Sequence, residues 1–323
     1  MGNEKLVNNL QLEAEAFDKR ISDRTNNGFI PDIENYIDND YFYKSFWRKK
    51  KYVDLYVGEM ANNYKNTFQK NLNSNSRILD FGCGSGYFSL ELARLGFDVV
   101  GYDISEDCIK IAKDYLETLD ENSIKGNLKY ANKLEDIKLN HFDGILCSGV
   151  LHHIKDLNET LNLFKSFYKE KNTALIVFHE PCHKKWAKSD AFVVAILRSL
   201  FNELSVWYEK EEKFSNEDEL KDLMDNILFE YVYERDKDEV EGQSPNDLSS
   251  DFEEISSILS KNFLKFETWP SRSFIYRLLG GIRSTPEKEN KIADMLEIID
   301  RFGVKNGFLN PNYMYGYAKG LSI

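Results

Sequence analysis

Four of the five histidines stand in two short segments whose spacing could support metal or acid–base chemistry. His152 and His153 are adjacent in LHHI, and His179 and His183 enclose Glu180 in HEPCH. HEPCH matches the H-E-x-x-H pattern of zinc proteases, which needs both histidines on one face of a continuous helix. The preceding TALIVF is apolar and rich in β-branched residues, and the proline within HEPCH opposes a helix. We therefore expect HEPCH to end a strand, and we predict no metal site.

A second segment suited to chemistry is the glycine-rich DFGCGSG, which runs from Asp80 to Gly86. A short apolar strand at 77–81 leads into it, and a helix at 87–95 follows. Glycines at alternate positions allow unusual backbone angles and let a ligand approach the main chain closely. Dinucleotide-binding folds place G-x-G-x-x-G at this point, but here the spacing is G-x-G-x-G and Tyr87 replaces the last glycine. The pattern predicts a loop that a ligand can approach closely, but the loop alone does not select the ligand.

The elements that must position these segments alternate between strands and helices. After the glycine loop, the predicted strands cover residues 98–103, 127–132, 142–149 and 173–181. An amphipathic helix is predicted at 106–119. This alternation is typical of a parallel sheet flanked by helices. Two later segments, 263–269 and 312–320, alternate polar and apolar residues and suit a closing antiparallel pair.

The segment from Asp80 to Gly86 resembles the first motif of class I S-adenosylmethionine-dependent methyltransferases, an acidic residue followed by x-G-x-G-x-G. The resemblance covers roughly residues 77–181, and FDGILCSGVLHHI is similar to the family's fourth-strand motif. It implies an α/β, Rossmann-like fold with a seven-stranded, mostly parallel sheet and helices on both faces. It also implies S-adenosyl-L-methionine as cofactor and S-adenosyl-L-homocysteine as product.

The resemblance further implies a set of cofactor-binding residues at the carboxyl edge of the sheet. Asp103 would accept hydrogen bonds from both ribose hydroxyls, and Ile104 would pack on the adenine; an acid at this spacing also occurs in NAD enzymes. Asn132 stands where many members have an acid, and either its side-chain oxygen accepts the adenine amino group or it is an ordinary loop residue. The predicted cofactor set from the sheet is Asp80, Gly82, Cys83, Gly84, Gly86, Asp103, Ile104, Asn132 and Cys147.

The N-terminal YFYKSFWRKKKY allows two interpretations. Its aromatic residues could pack a cap helix on the core. Alternatively, Tyr43 or Trp47 could cover the sulfonium, since a ring face favours a cation, and Arg48 could bind the cofactor carboxylate. Trp47 and Arg48 are therefore added to the predicted cofactor site.

Methyl transfer demands alignment and exclusion of water, and a base is needed only when the acceptor carries a proton. Histidine is the natural base near neutral pH. His179 and His153 are the leading candidates, followed by His152 and Glu180, although the LHHI histidines could equally serve packing. His141 precedes the fourth strand on the opposite edge and is expected to be solvated.

Composition bears on which binding partners and which cellular location are expected. The chain has 42 Lys and Arg residues against 54 Asp and Glu residues, for a net charge of -12, which disfavours nucleic acid. Its four cysteines form no C-x-x-C pair, and no long apolar run indicates an export signal or a membrane span. A cytoplasmic protein without a membrane partner is expected.

We predict a helical N-terminal cap at 1–70 and a core at 71–182 and 249–323. An insertion at 183–248, with a further one at about 270–306, is expected to form a substrate lid. The favoured function is methyl transfer to a small polar acceptor, preferably O-methylation of a sugar or related metabolite. The alternatives are a tRNA or amino-group N-methyltransferase, a Mg²⁺-assisted variant, and a non-catalytic S-adenosylmethionine-binding partner subunit; the oligomeric state is left open.

Overall fold

Seven strands are found among the residues that the computed structural model describes, which are 2–208, 214–233, 244, 246 and 249–322, with the backbone alone for 2–10 and 121. The strands are β1 (Arg77–Phe81), β2 (Asp98–Tyr102), β3 (Leu128–Ala131), β4 (Gly144–Ser148), β5 (Leu175–Pro181), β6 (Phe263–Pro270) and β7 (Tyr313–Leu321). Parts of the predicted lid, at 209–213, 234–243, 245 and 247–248, lie outside the described residues.

The strands form one sheet in the order β3-β2-β1-β4-β5-β7-β6. Strands β1 to β5 pair in parallel, whereas β7 runs antiparallel to both β5 and β6. The predicted seven-stranded, mostly parallel sheet with a closing antiparallel pair is therefore confirmed. From β1 the chain continues to β2 and β3 on one side of β1, and then crosses to β4 on the other side of β1. Ligands of open parallel sheets bind at such a switch point, beyond the carboxyl ends of the strands.

Helices flank the sheet, and they also form the N-terminal segment and the inserted segments of the chain. They are α1 (Gly2–Asn26), α2 (Lys50–Val53), α3 (Glu59–Asn71), α4 (Tyr87–Arg94), α5 (Glu106–Glu117), α6 (Leu157–Phe167), α7 (Lys188–Glu203), α8 (Glu217–Tyr233), α9 (Phe252–Asn262), α10 (Ile275–Leu278) and α11 (Pro286–Lys305). A π-helical turn, Asp54–Gly58, joins α2 to α3. Within the described ranges, none of these helices combines the length and apolar character needed to cross a bilayer.

Strand β1 shows how the sequence builds two cores. Successive side chains of a strand point to opposite faces. Ile78 packs in the core that contains Phe68 of α3, and Leu79 packs in the core that contains Phe164 of α6 and Leu259 of α9. The predicted helices on both faces of the sheet are thus confirmed.

The segments predicted as insertions fold as helices and connect with one another. The Tyr231 hydroxyl of α8 donates to the Phe274 carbonyl at 2.7 Å, just before α10. The Asp300 carboxylate of α11 accepts the backbone N–H groups of Ser273, Phe274 and Ile275 at 2.7–2.9 Å, which caps the start of α10. The division into cap, core and lid stays a prediction.

Candidate active site

The glycine loop after β1 has a backbone that favours glycine. Gly82, Gly84 and Gly86 have φ angles of +75°, +53° and +85°, in the region that residues with a side chain rarely adopt. A Cβ at Gly82 would lie 2.4 Å from Cγ2 of Val150, whereas a Cβ at Gly84 would meet no atom within 4 Å. Gly82 therefore packs against the turn after β4, and Gly84 faces open space.

Asp103 follows β2 directly and holds its carboxylate against the glycine loop. Oδ2 accepts the Gly84 backbone N–H at 2.7 Å, and Oδ1 accepts the Ser105 N–H at 2.9 Å. Burial raises the pKa of Asp103, against the effect of these two N–H donors. The Ser105 hydroxyl in turn caps α5 by accepting the Cys108 N–H at 3.0 Å. These hydrogen bonds hold the carboxylate that was predicted to bind the ribose against the glycine loop.

Asp80 lies near the end of β1 with its side chain buried. The Ser89 hydroxyl donates to its Oδ2 at 2.6 Å. Burial, with a smaller contribution from the charge of Asp103, raises the pKa of Asp80 to about 7. A cation placed beside this carboxyl would restore its ionised form. The amino group of a methionine moiety is such a cation, so Asp80, Asp103 and the open space at Gly84 fit S-adenosylmethionine.

Four other predicted cofactor residues lie on or near these elements. Cys83 is buried in the loop, where its N–H donates to the Tyr102 carbonyl at 2.9 Å. Ile104 is partly exposed, and the Asn132 amide donates to the Glu106 carboxylate at 3.2 Å. Cys147 is fully buried in β4, and this burial raises its pKa far above the ordinary thiol value. Cys147 therefore faces the core of the sheet.

Trp47 and Arg48 are adjacent in the sequence but contact different parts of the structure. The Trp47 ring lies edge-on to Tyr87, the residue after Gly86, with ring centroids 5.6 Å apart. The Arg48 guanidinium donates to the Ile282 carbonyl at 2.5 Å and lies 3.4 Å from Glu289. The tryptophan thus reaches the helix that follows the glycine loop, whereas the arginine links the N-terminal segment to α11 and to the residues just before it.

The turn after β4 is held by Glu180. Oε1 of this fully buried carboxylate accepts the N–H groups of Val150 and Leu151 at 3.0 and 2.9 Å. Oε2 accepts the His152 N–H at 3.3 Å and lies 2.7 Å from its Nδ1. Both oxygens of Glu180 are therefore committed to shaping the turn that packs against Gly82.

His153 ends the same turn and pairs with Glu13 of α1. Its Nδ1 lies 3.0 Å from Oε1 of Glu13 and 3.2 Å from the Ser244 hydroxyl. Burial raises the pKa of Glu13, but hydrogen bonds from His153 and Ser244 outweigh it and hold the pKa below its ordinary value. Because an ionised carboxylate can only accept hydrogen bonds, a neutral His153 that bonds to Glu13 carries its proton on Nδ1. Nε2 is then the acceptor, and it has no hydrogen bond to another described residue.

His179 and His183 do not share a helix. His179 lies within β5, 1% exposed, with its Nε2 3.1 Å from the Ser271 hydroxyl. Its ring stacks on Tyr313 at a centroid distance of 5.0 Å. His183 begins a short 3-10 turn, where its Nδ1 contacts the Asn312 side chain. The geometry required by the zinc-protease pattern is therefore not formed by these two residues.

Glu13 is a site residue that the sequence reasoning missed. It is one turn before Phe17 on α1, and the Phe17 ring lies edge-on to His153 at 5.6 Å. The i, i+4 spacing of Glu13 and Phe17 in LEAEAF was a signal that both share one helix face. Ser148, at the end of β4, was also missed, and its hydroxyl lies 2.7 Å from the hydroxyl of Tyr64.

Comparisons with known proteins support the resemblance to methyltransferases that the glycine loop indicated. A family model described as a methyltransferase domain matches residues 51–234, more than half of the chain. A ubiquinone biosynthesis O-methyltransferase of Pelagibacter ubique is 30% identical over 151 residues, which are 46% of this chain and 59% of that protein. The mitochondrial ubiquinone biosynthesis O-methyltransferase of Saccharomyces cerevisiae is 32% identical over 121 residues, 35% of this chain and 37% of that protein.

The solved structure of a SAM-dependent methyltransferase from Methanosarcina mazei has 17% identity and a TM-score of 0.43, over 79% of this chain and 98% of that one. The chain spans less than two thirds of the length of the curated relatives named above. The family match covers α2 to α8 and includes the glycine loop, Asp103 and the turn after β4. The chain therefore belongs to the class I S-adenosylmethionine-dependent methyltransferases.

Proposed function

We propose that this protein transfers a methyl group from S-adenosylmethionine to a hydroxyl of a small polar molecule, with His153 as the base. The observation that carries the proposal is the His153–Glu13 pair, which lies at the end of the turn whose Val150 packs against Gly82. The Nδ1 of His153 is bound to the Glu13 carboxylate, and the Nε2 of His153 is left to accept a proton. This arrangement serves an acceptor whose proton must be removed.

When bound, S-adenosylmethionine supplies an electrophilic methyl group, whose bond to sulfur breaks as the acceptor oxygen bonds to the methyl carbon; the electron pair stays on sulfur. The hydroxyl proton goes to Nε2 of His153. Asp80 and Asp103 orient the cofactor, so that the acceptor oxygen and the methyl carbon can align. The turn at 150–153 carries the base next to Gly82.

His179, ranked first from the sequence, has a different environment. It is 1% exposed, its Nε2 contacts Ser271, and its ring lies against Tyr313 and Tyr315. The side chain of His153 is 12% exposed. Access of the acceptor proton therefore favours His153, and we infer that His179 supports the wall of the acceptor pocket.

Two observations favour an oxygen acceptor of small size. Relatives that align with the core are named as ubiquinone biosynthesis O-methyltransferases, and the net charge of -12 opposes RNA. Ser244 and Asn246, which fall in the predicted lid, contact Glu13 beside His153. This contact supports a lid that closes over the acceptor, for which a sugar or related metabolite is our favoured class.

The test incubates the protein with methyl-labelled S-adenosylmethionine and three acceptor pools: mixed monosaccharides, catechols and total tRNA. We expect label in one of the hydroxyl pools, with an equal yield of S-adenosylhomocysteine. Label confined to tRNA would overturn the proposal. Failure to form S-adenosylhomocysteine with any pool or with a cell metabolite extract would point to the non-catalytic alternative.

The base is tested with His153→Asn, which keeps a donor near the position of Nδ1. We expect kcat to fall at least about 100-fold, the usual contribution of a positioned base. His141→Asn is the matched control, since His141 precedes β4 at the opposite edge of the sheet. If His179→Asn lost this activity and His153→Asn kept it, His179 would be the base.

A further inference from the structure

Glu13 is a buried carboxylate on the N-terminal helix, far in sequence from every motif of the family. It is 3% exposed and accepts from three groups that belong to two other parts of the chain. These are the His153 ring, the Ser244 hydroxyl at 2.6 Å and the Asn246 N–H at 3.0 Å. A buried carboxylate with this many donors is held in one orientation.

We propose that Glu13 is the positioning residue for the base: it fixes the Nδ1–H tautomer of His153, while Ser244 and Asn246 hold the Glu13 carboxylate. This inference rests on the proposed function, because it gives Glu13 its role through the proton-accepting Nε2 of His153. Glu13 does not itself contact the acceptor.

The physical argument concerns the tautomer. A neutral imidazole in water prefers its proton on Nε2, and a base with that tautomer cannot accept at Nε2. A carboxylate at 3.0 Å from Nδ1 reverses the preference, because it can only accept. The Ser244 hydroxyl donates to the same carboxylate oxygen, which stabilises the ionised form of the carboxylate that Nδ1–H faces.

Other ionisable groups around His153 do not provide this function. The His152 ring lies at a centroid distance of 4.1 Å, but its own Nδ1 is bound to Glu180. From α1, Phe17 contributes an apolar ring edge. Among the described residues, Glu13 is thus the carboxylate in direct contact with His153.

The same helix also contacts the cofactor side of the site. Asp18 accepts hydrogen bonds from the Ser105 hydroxyl and, at 3.2 Å, from the Asp107 N–H. The Ser22 hydroxyl donates to the Asp107 carboxylate at 2.7 Å. Ser105 is the residue whose N–H orients Asp103. The contacts of α1 therefore connect Asp103, through Ser105, to the helix that carries Glu13.

The direct test is the tautomer of His153 in ¹⁵N-histidine-labelled protein near pH 8, where five histidines give a simple spectrum. His153→Asn assigns the signal. We expect the Nδ1–H pattern in the unaltered protein and in Glu15→Ala, a matched change at an exposed position of α1. Glu13→Ala should shift His153 to the Nε2–H pattern. Retention of Nδ1–H in Glu13→Ala would overturn the proposal.

Kinetics separate positioning from a loss of folding. For Glu13→Ala we expect kcat to fall about 100-fold, with the Kd for S-adenosylhomocysteine within about twofold of that of Glu15→Ala. An unchanged kcat, or a loss expressed only as weaker cofactor binding, would show that Glu13 merely docks α1. Absence of methyl transfer by the unaltered protein overturns the proposed function instead, while the tautomer still decides whether Glu13 positions His153.

Discussion

The carboxylate of Glu180 and the imidazole of His152 form a buried pair, with Oε2 lying 2.7 Å from Nδ1. Glu180 ends β5, whereas His152 lies in the turn after β4, so the pair joins two neighbouring strands at their carboxyl ends. The same carboxylate accepts three backbone N–H groups of that turn. Since Val150 of the turn packs against Gly82, this turn connects Glu180 to the glycine loop.

Glu180→Ala should therefore destabilise the protein and weaken cofactor binding. The change leaves three backbone donors and a histidine without their acceptor, which we expect to cost about 3 kcal/mol in the free energy of unfolding. Urea unfolding measures this loss, and calorimetry with S-adenosylhomocysteine measures binding. The matched control is Glu170→Ala, an exposed acid before β5, which should change both quantities little. Equal stabilities of the two variants would contradict this role of Glu180.

Gly84 and Gly307 allow backbone strain to be separated from ligand contact. Both have positive φ angles, +53° and +72°, and a Cβ at either position would meet no atom within 4 Å. Gly84→Ala and Gly307→Ala should each cost about 1 kcal/mol of stability, because a side chain disfavours this backbone region. Only Gly84→Ala should weaken cofactor binding, since its methyl group would occupy the space assigned to the ligand.

Thermal unfolding and calorimetric titration with S-adenosylhomocysteine, run on both glycine variants, check this prediction. Equal affinities for the cofactor product in the two variants would mean that the ligand does not approach the main chain at Gly84. A third variant, Gly82→Ala, should be the least stable, because its Cβ would lie 2.4 Å from Val150.

Asp80 should make cofactor binding depend on pH. Burial raises the pKa of Asp80 to about 7, so in the free protein the carboxyl is protonated below that pH. The cationic amino group of the cofactor favours the ionised form. Affinity should therefore fall as pH decreases below about 7, by up to about tenfold per pH unit. Titration calorimetry between pH 5.5 and about 8.5, in buffers of different ionisation enthalpy, should detect proton release below pH 7.

Asp80→Asn should have opposite effects on stability and binding. Because the folded protein has the higher pKa, it binds more protons than the unfolded chain between pH 3.8 and about 7, so stability falls as pH rises through this window. Asparagine removes this cost, and at pH 8 the free protein should gain at most about 4 kcal/mol. The variant should bind the cofactor weakly and without the pH dependence. Unaltered pH dependence in Asp80→Asn would show that another group titrates.

Most of the sheet was predictable because short-range patterns encode it. The predicted strand TALIVFHEP and the alternating segment NYMYGYAKG match the bounds of β5 and β7 to within one or two residues. The conformation of the glycine loop was also predictable, because positive φ angles require glycine at Gly82, Gly84 and Gly86. These features depend on residues close together in the sequence.

The partners of the histidines were not predictable from local patterns. Glu13 meets His153, and Arg48 meets Ile282 and Glu289, across separations of more than a hundred residues. Which nitrogen of a histidine faces a carboxylate depends on how α1 docks on the sheet, and periodicity shows only that α1 is a helix. The role of Glu180 in shaping the turn after β4 also depends on a tertiary contact, between the ends of two neighbouring strands, which local patterns do not show.

The inserted helices should lose stability in acid through Glu230 of α8. Its carboxylate receives two hydrogen bonds from Arg198, at 2.7 and 2.9 Å, and a third from Arg277 at 3.3 Å. Burial raises the pKa of Glu230, but the two arginines outweigh it and lower the pKa to about 2. This stabilisation is present above the unfolded value of 4.5 and is lost as pH falls toward about 2.

Glu230→Gln should therefore cost about 3 kcal/mol of unfolding free energy at pH 7 and make stability less dependent on pH between about 5 and 2. The reason is that glutamine keeps the shape of the side chain but removes the negative charge that faces Arg198 and Arg277. Glu217→Gln, an exposed acid on the same helix, is the control. Urea unfolding at several pH values gives the comparison, and identical pH profiles for the two variants would show that the ion pairs of α8 do not stabilise the inserted segment.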